Sequence, residues 1–147
     1  MNVFYIDKSP EIAARNMINK HVVKMILECA QILSTAHREA GDESDHFYKR
    51  THVNHPSCVW VRQSTQHYAW VYRHMIELGK EYSRRYGNKT HLTITKMEEV
   101  LKTPPASMPN NGFAPPPQCM PDEYKRDCAV AGYRAYYQFK RKTIGEK

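Results

Sequence analysis

The sequence predicts a mainly α fold, a single compact helical domain over residues 1–147 with one long proline-rich loop. Three observations lead there. Residues 21–39, HVVKMILECAQILSTAHRE, place apolar side chains at helical rather than strand period. Helix-start signals recur at Ser9–Pro10 and at Pro121–Asp122. Seven of the nine prolines fall within residues 103–121, which can then be neither helix nor central strand.

Taken in order, NVFYI reads as one short strand or an extended segment packed on the core. Ser9 caps a first helix with Pro10 at its first position and Glu11 in its first turn. The helix through residues 21–39 follows and ends near Gly41. Polar, turn-rich GDESDHFYKRTHVNHP is a connecting loop. A second long helix is expected from about Pro56 to Tyr86, with Val59, Val61, Tyr68, Val71, Tyr72, Met75, Ile76 and Leu78 on its apolar side. Thr95 is the expected cap of a short helix in THLTITKMEEVLK. Residues 103–121 form a loop over the surface, and PDEYKRDCAVAGYRAYYQFKRK restarts as a helix whose C-terminal dipole suits Lys140, Arg141 and Lys142.

Hydrophobic content of 41% with 25% charged residues belongs to a folded chain rather than a disordered one. MNVFYID lacks the basic segment and apolar run of a signal peptide, and no apolar run is long enough to span a membrane. Four scattered cysteines are expected as free thiols in a reducing cytoplasm. The net charge of +7 is uneven. Residues 1–48 carry 5 basic and 7 acidic groups, residues 49–102 carry 10 and 4, and residues 122–147 carry 7 and 4. A basic middle and tail, with eight histidines and ten tyrosines, point to a nucleic-acid partner.

The helix through residues 21–39 raises the sharpest question. His21, Lys24, Glu28, Gln31, Thr35 and Glu39 fall within an arc of about 80° on a helix that is otherwise almost wholly apolar. Such a line faces either water or a pocket. In a pocket, Lys24 and Glu28 are a candidate amine and a candidate acid, base or electrostatic stabiliser, with His21 and His37 as flanking groups. His52, His55 and Cys58 in THVNHPSCVWVR have a weak resemblance to metal spacing. No second ligand pair accompanies them, so no metal and no cofactor is expected. His52 and His55 are instead placed at a helix start as substrate-binding candidates, with Trp60, Arg62 and His67. Arg73, Lys80 and Arg84 recur on one helical stripe and, with Arg85, are the expected phosphate contacts. No Gly-rich phosphate loop, G-x-S-x-G, H-E-x-x-H or C-x-x-C occurs.

DKSPEIAARNMINKHVVKMILECAQILSTAH, THVNHPSCVWVR, YAWVY and MPDEYKRDCAVAGYRAYYQFKRK together resemble a family of small phage and bacterial proteins related to pyrimidine-dimer DNA glycosylases of the T4 endonuclease V type. The resemblance implies DNA as partner ahead of RNA, a cytoplasmic place of work and a DNA-repair chemistry. In that chemistry a nucleotide is flipped, an amine attacks the sugar C1′ and a glutamate assists. In those glycosylases the amine belongs to an N-terminal threonine; here the second residue is Asn2. The expected amine is therefore Lys24, with Lys20 second, and Glu28 stabilises positive charge on the sugar. Trp60, His67 or the proline loop would supply the pocket for a flipped base. Two other readings stay open. One is a non-catalytic nucleic-acid-binding or host-interaction protein; the other is a hydrolase or transferase of nucleotides or modified bases using His21, His37, His52 and His55.

Overall fold

The structure, a computed structural model, describes residues 2–145; the expected domain of residues 1–147 thus runs slightly beyond what is described. Six α-helices follow one another: α1 (Pro10–Arg15), α2 (Asn19–Glu39), α3 (Pro56–Arg62), α4 (Thr65–Arg85), α5 (Leu92–Met97) and α6 (Ala129–Ile144). A 3-10 turn at Asp122–Tyr124 precedes α6, and the described residues include no strand. The architecture is mainly α, as the periodicity requires.

Residues 3–6 are an extended core segment, not a strand. Val3, Phe4, Tyr5 and Ile6 are all buried, and Phe4 takes a left-handed backbone conformation, with φ 47°. Ser9 Oγ accepts from Ile12 N–H at 3.2 Å and starts α1. Along α2, Val22, Met25, Ile26, Cys29, Ile32 and Leu33 are buried, and α2 packs chiefly on α4, which also receives α1 and α3. Val23 and Leu27 belong to the same helix but stay exposed, so α2's open face is wider than its polar line.

Three sequence expectations are corrected. The helix expected from Pro56 to Tyr86 is broken at Gln63–Ser64 into α3 and α4. Ser64 is extended, its Oγ caps α4 by accepting from Gln66 N–H, and it donates to Gly112 O at 2.6 Å. A side chain that bonds the backbone locally competes with helix continuation. The cap of α5 is His91, whose Nδ1 accepts from Thr93 N–H at 3.1 Å, not Thr95. At the C-terminal end, Pro121 and Asp122 head only the 3-10 turn, and α6 begins seven residues after Asp122, at Ala129.

Residues 103–121 are a fixed strap. Thr65 N–H donates to Pro109 O at 2.9 Å, Trp60 Nε1 to Ala114 O at 2.8 Å, and Asn111 Nδ2 to Gln63 O at 3.0 Å. Tyr133 OH donates to Pro117 O, and Asn2 Nδ2 to Cys119 O at 3.0 Å. The strap closes over the α3–α4 break and runs to the N-terminal segment. None of the described helices is long and apolar enough to cross a membrane.

Candidate active site

The last turns of α6 meet the first turn of α2 across the N-terminal segment. Tyr137 OH accepts from Ile18 N–H at 2.9 Å and lies 2.8 Å from His21 Nδ1. Phe4 stacks on His21 with ring centroids 4.8 Å apart. Beside this knot opens a concavity of about 330 Å³ lined by Lys20, His21, Lys24 and Glu28 of α2, Asn2 and Phe4, Cys119 of the strap, and Tyr136 and Lys140 of α6. The first half of the polar line therefore faces a pocket.

Within it, Glu28 is sheltered and Lys24 stands at the rim; their side chains are 16% and 64% exposed. Lys24 Nζ lies 3.6 Å from Glu28 Oε2, the i,i+4 reach of a helix, and that oxygen is buried without a hydrogen bond to the protein. Three lysines thus line one pocket with a single described carboxylate. Their field is felt by His21, which burial and then the charges of Lys24, Lys140 and Lys20 push down to about 4, so its imidazole is neutral at pH 7. Cys29, next in sequence to Glu28, is a spectator; burial, then the Glu28 charge, push its thiol far above the ordinary range.

On α6 the ring of Tyr136 lies under Lys140 Nζ at 5.2 Å and is flanked by Tyr124 at 5.4 Å and Phe139 at 6.3 Å. This aromatic ledge with a cation is suited to stacking an unpaired base.

The other expected site residues lie elsewhere. His37 is sixteen residues from His21 along α2, about 24 Å at helical rise. It is buried there, with Nε2 2.8 Å from Tyr68 OH and its ring stacked on Phe47. Trp60 and His67 stack at 4.3 Å and anchor the strap. Ala114 N–H donates to His67 Nε2 at 3.0 Å, which leaves Nδ1 as donor to Trp60 O. Arg62 binds Val53 O at 3.0 Å and lines a different concavity, beside Glu39. His55 does stand at a helix start, but as an acceptor: its Nδ1 caps α3 by taking Ser57 N–H at 3.1 Å. It borders a groove with Pro115, Pro116 and Pro117. His52 is exposed, its Nδ1 2.7 Å from Thr51 Oγ1. No three His, Cys, Asp or Glu side chains converge among the described residues. His21, His37 and the His52–His55 pair sit in separate surroundings, so the histidines do not form one acid–base cluster.

The α4 stripe is also engaged. Arg73 and Lys80 bind Glu77 at 2.9 and 3.2 Å, and Arg84 and Arg85 both bind Glu81. Burial alone would raise the Glu77 pKa; hydrogen bonds from Arg73 and Lys80 outweigh it and hold the carboxyl below its usual range.

Sequence reasoning missed Asn2, Phe4, Cys119, Tyr136 and Lys140. For α6 a signal existed: Tyr133, Tyr136, Tyr137 and Lys140 recur at i, i+3, i+4 and i+7, one face ending in a cation. For Cys119 nothing local pointed to the pocket.

An all-helical scaffold with a sheltered carboxylate among lysines and an aromatic ledge is suited to work on a polyanion bearing bases. The chain belongs to the pyrimidine dimer DNA glycosylase family, which it matches over residues 1–95. Membership gives it a DNA-glycosylase-type function with DNA as substrate. The match covers α1 to α4 and most of α5, while the strap and α6 lie beyond it. No match was found among curated proteins or among solved structures.

Proposed function

We propose that the protein is a DNA glycosylase with AP-lyase activity in which Lys24 supplies the amine and Glu28 the assisting carboxylate. Lys24 Nζ, as the free amine, attacks the sugar C1′. The N–C1′ bond forms as the bond to the base breaks; the attacking nitrogen gives up one proton, which leaves with the base, and its second passes to O4′ as the sugar ring opens to a Schiff base. Glu28 stabilises the positive charge that develops on the sugar. The Schiff base that follows acidifies the C2′ proton, and its loss with the 3′ phosphate cuts the strand. Lys20, one turn before Lys24 on the same rim, is the second candidate for the amine.

The observation that carries this reading is Glu28 itself, a sheltered carboxylate with an unpartnered oxygen 3.6 Å from an amine in a lysine-rimmed pocket. The ledge of Tyr124, Tyr136 and Phe139 supports it. Unstacking a base costs a few kcal/mol, and stacking on an aromatic ring returns about 1–3 kcal/mol. Borohydride trapping on damaged or abasic duplex at low salt is the test. Wild type is expected to form a covalent adduct and Lys24→Ala to lose it. Absence of any adduct with wild type removes the reading. Salt-sensitive binding that is indifferent to Glu28→Gln, without turnover, would leave a binding protein.

A further inference from the structure

We infer that a second concavity, between the α1–α2 turn and the ends of α4 and α6, holds a backbone phosphate of the DNA strand whose sugar occupies the pocket at Glu28. This rests on the reading of the protein as acting on DNA. The concavity is lined by Arg15, Arg85 and Arg141 with Asn16 and Asn19, and among the described residues no carboxylate lines it. Glu11 and Glu81, which bind Arg15 and Arg85, lie outside the lining.

Two of the arginines are anchored to backbone carbonyls. Arg85 donates from Nη1 to Met17 O at 2.8 Å and Asn19 Oδ1 at 2.9 Å, from Nη2 to Arg15 O at 3.0 Å, and from Nε to Glu81 at 2.9 Å. These four bonds leave one of its five donors. Arg141 donates to Asn16 O and stands over the Tyr137 ring at 5.0 Å. Arg15, paired with Glu11, is 57% exposed and caps no carbonyl. Arg85 and Arg141, tied to backbone carbonyls, are pre-organised beside the polar hollow, so little of their ordering entropy is lost when an oxyanion binds, and exposed Arg15 closes on it from the rim. The first turn of α2 adds to the positive potential, since it holds no acidic residue and its cap, Ile18, offers no side-chain acceptor.

Placement selects the source of the phosphate. Asn19 and Arg141 line this hollow, while Lys20 and Lys140, one residue away on the same two helices, line the active site. A strand that brings its sugar to Glu28 carries its own phosphates past the arginines.

The test is a scan of neutral methylphosphonate linkages through the duplex, with affinity read by fluorescence anisotropy for wild type, Arg141→Gln and Arg15→Gln. One linkage flanking the target nucleotide should weaken wild-type binding on the order of tenfold. Arg141→Gln should already lack that factor and ignore the change there, and its log K against log salt should be shallower by about 0.9. Arg15→Gln, which removes no carbonyl cap, makes the same comparison if Arg141→Gln does not fold. A scan in which variants and wild type respond alike at every linkage overturns the inference, as does a hollow that takes only free phosphate, since it would single out no linkage. Failure here with a normal borohydride adduct leaves the catalytic reading standing. A linkage effect without any adduct does the reverse.

Discussion

A buried carboxylate oxygen without a hydrogen bond is costly to a fold. Glu28 Oε2 is such an atom; Ser34 Oγ and His74 Nε2 are also buried without a hydrogen bond, but of the three only Glu28 borders the lysine-rimmed pocket. Glu28→Gln keeps the volume and removes the charge. The expected result is unchanged or slightly raised thermal stability with adduct formation slowed about 100-fold or more, the scale of a lost electrostatic stabiliser; parallel melting and trapping measurements check both. His74 makes a different statement. Its Nδ1 donates to Pro10 O at 3.0 Å and its ring stacks on Trp70. Burial pushes it down to about 4. Between pH 4 and its ordinary value of 6.5 the unfolded chain binds a proton that the folded chain refuses. Stability is therefore full above pH 6.5 and falls as pH drops toward 4, by on the order of 3 kcal/mol for this one residue. His21, pushed down to about 4 by burial and neighbouring lysines, acts in the same window and in the same direction. Urea unfolding at pH 7 and pH 4.5 should show the loss, and His74→Phe, which preserves the stack, should make it shallower while leaving the share that belongs to His21. An equally steep profile in that variant would remove His74 as a cause.

At the scale of elements, the α3–α4 junction and the strap stabilise each other through Ser64. Its Oγ accepts from Gln66 N–H and Asn111 N–H and donates to Gly112 O. Ser64→Ala loses a helix cap of about 1 kcal/mol and the bonds to Gly112 O and Asn111 N–H, worth about 0.5–1 kcal/mol each. Denaturant unfolding should register about 2–3 kcal/mol, and amide exchange should rise across residues 109–114 ahead of α2. Uniform exchange would mean the strap does not depend on this residue. The same junction marks the limit of sequence reading. Long elements were legible: α2 ends at Glu39, two residues before Gly41, because its apolar spacing and its glycine are local signals. Ser64 could have been read as a local cap, since it accepts from Gln66 N–H, but its bonds to Asn111 and Gly112, 47 and 48 residues on, leave no local trace. His91 and His55 acting as caps were equally hidden, since histidine is not among the usual capping residues. For the pocket, His21, Lys24 and Glu28 were readable from one helix, whereas Tyr136, Lys140 and Cys119 arrive from the other end of the chain.

Over the whole molecule the question is where a chain of net charge +7 shows that charge to DNA. The sequence placed it on α4, where basic residues are densest. In the structure Arg73 and Lys80 share Glu77 and Arg84 binds Glu81, with both glutamate side chains below 10% exposure, while Arg85 at the helix end binds Glu81 but turns its other donors to the α1–α2 turn. The pairs themselves contribute little where the cations are exposed, yet they neutralise carboxylates the fold has sheltered. The candidate pocket has the opposite balance, with Lys20, Lys24 and Lys140 in its lining and Glu28 as the one described carboxylate. The two surfaces separate experimentally. Lys20→Gln with Lys140→Gln should reduce the slope of log K against log salt by about 1.8, since each phosphate contact contributes about 0.9. Arg73→Gln with Lys80→Gln should leave that slope unchanged and instead lower stability by about 1–3 kcal/mol, because Glu77 is left sheltered without its partners. Anisotropy titrations across a salt series and urea unfolding of both pairs decide between the two faces. If the α4 pair carried the slope and the rim pair did not, DNA would lie along α4, the strand would pass away from Glu28, and amine attack at C1′ from α2 would have no substrate within reach.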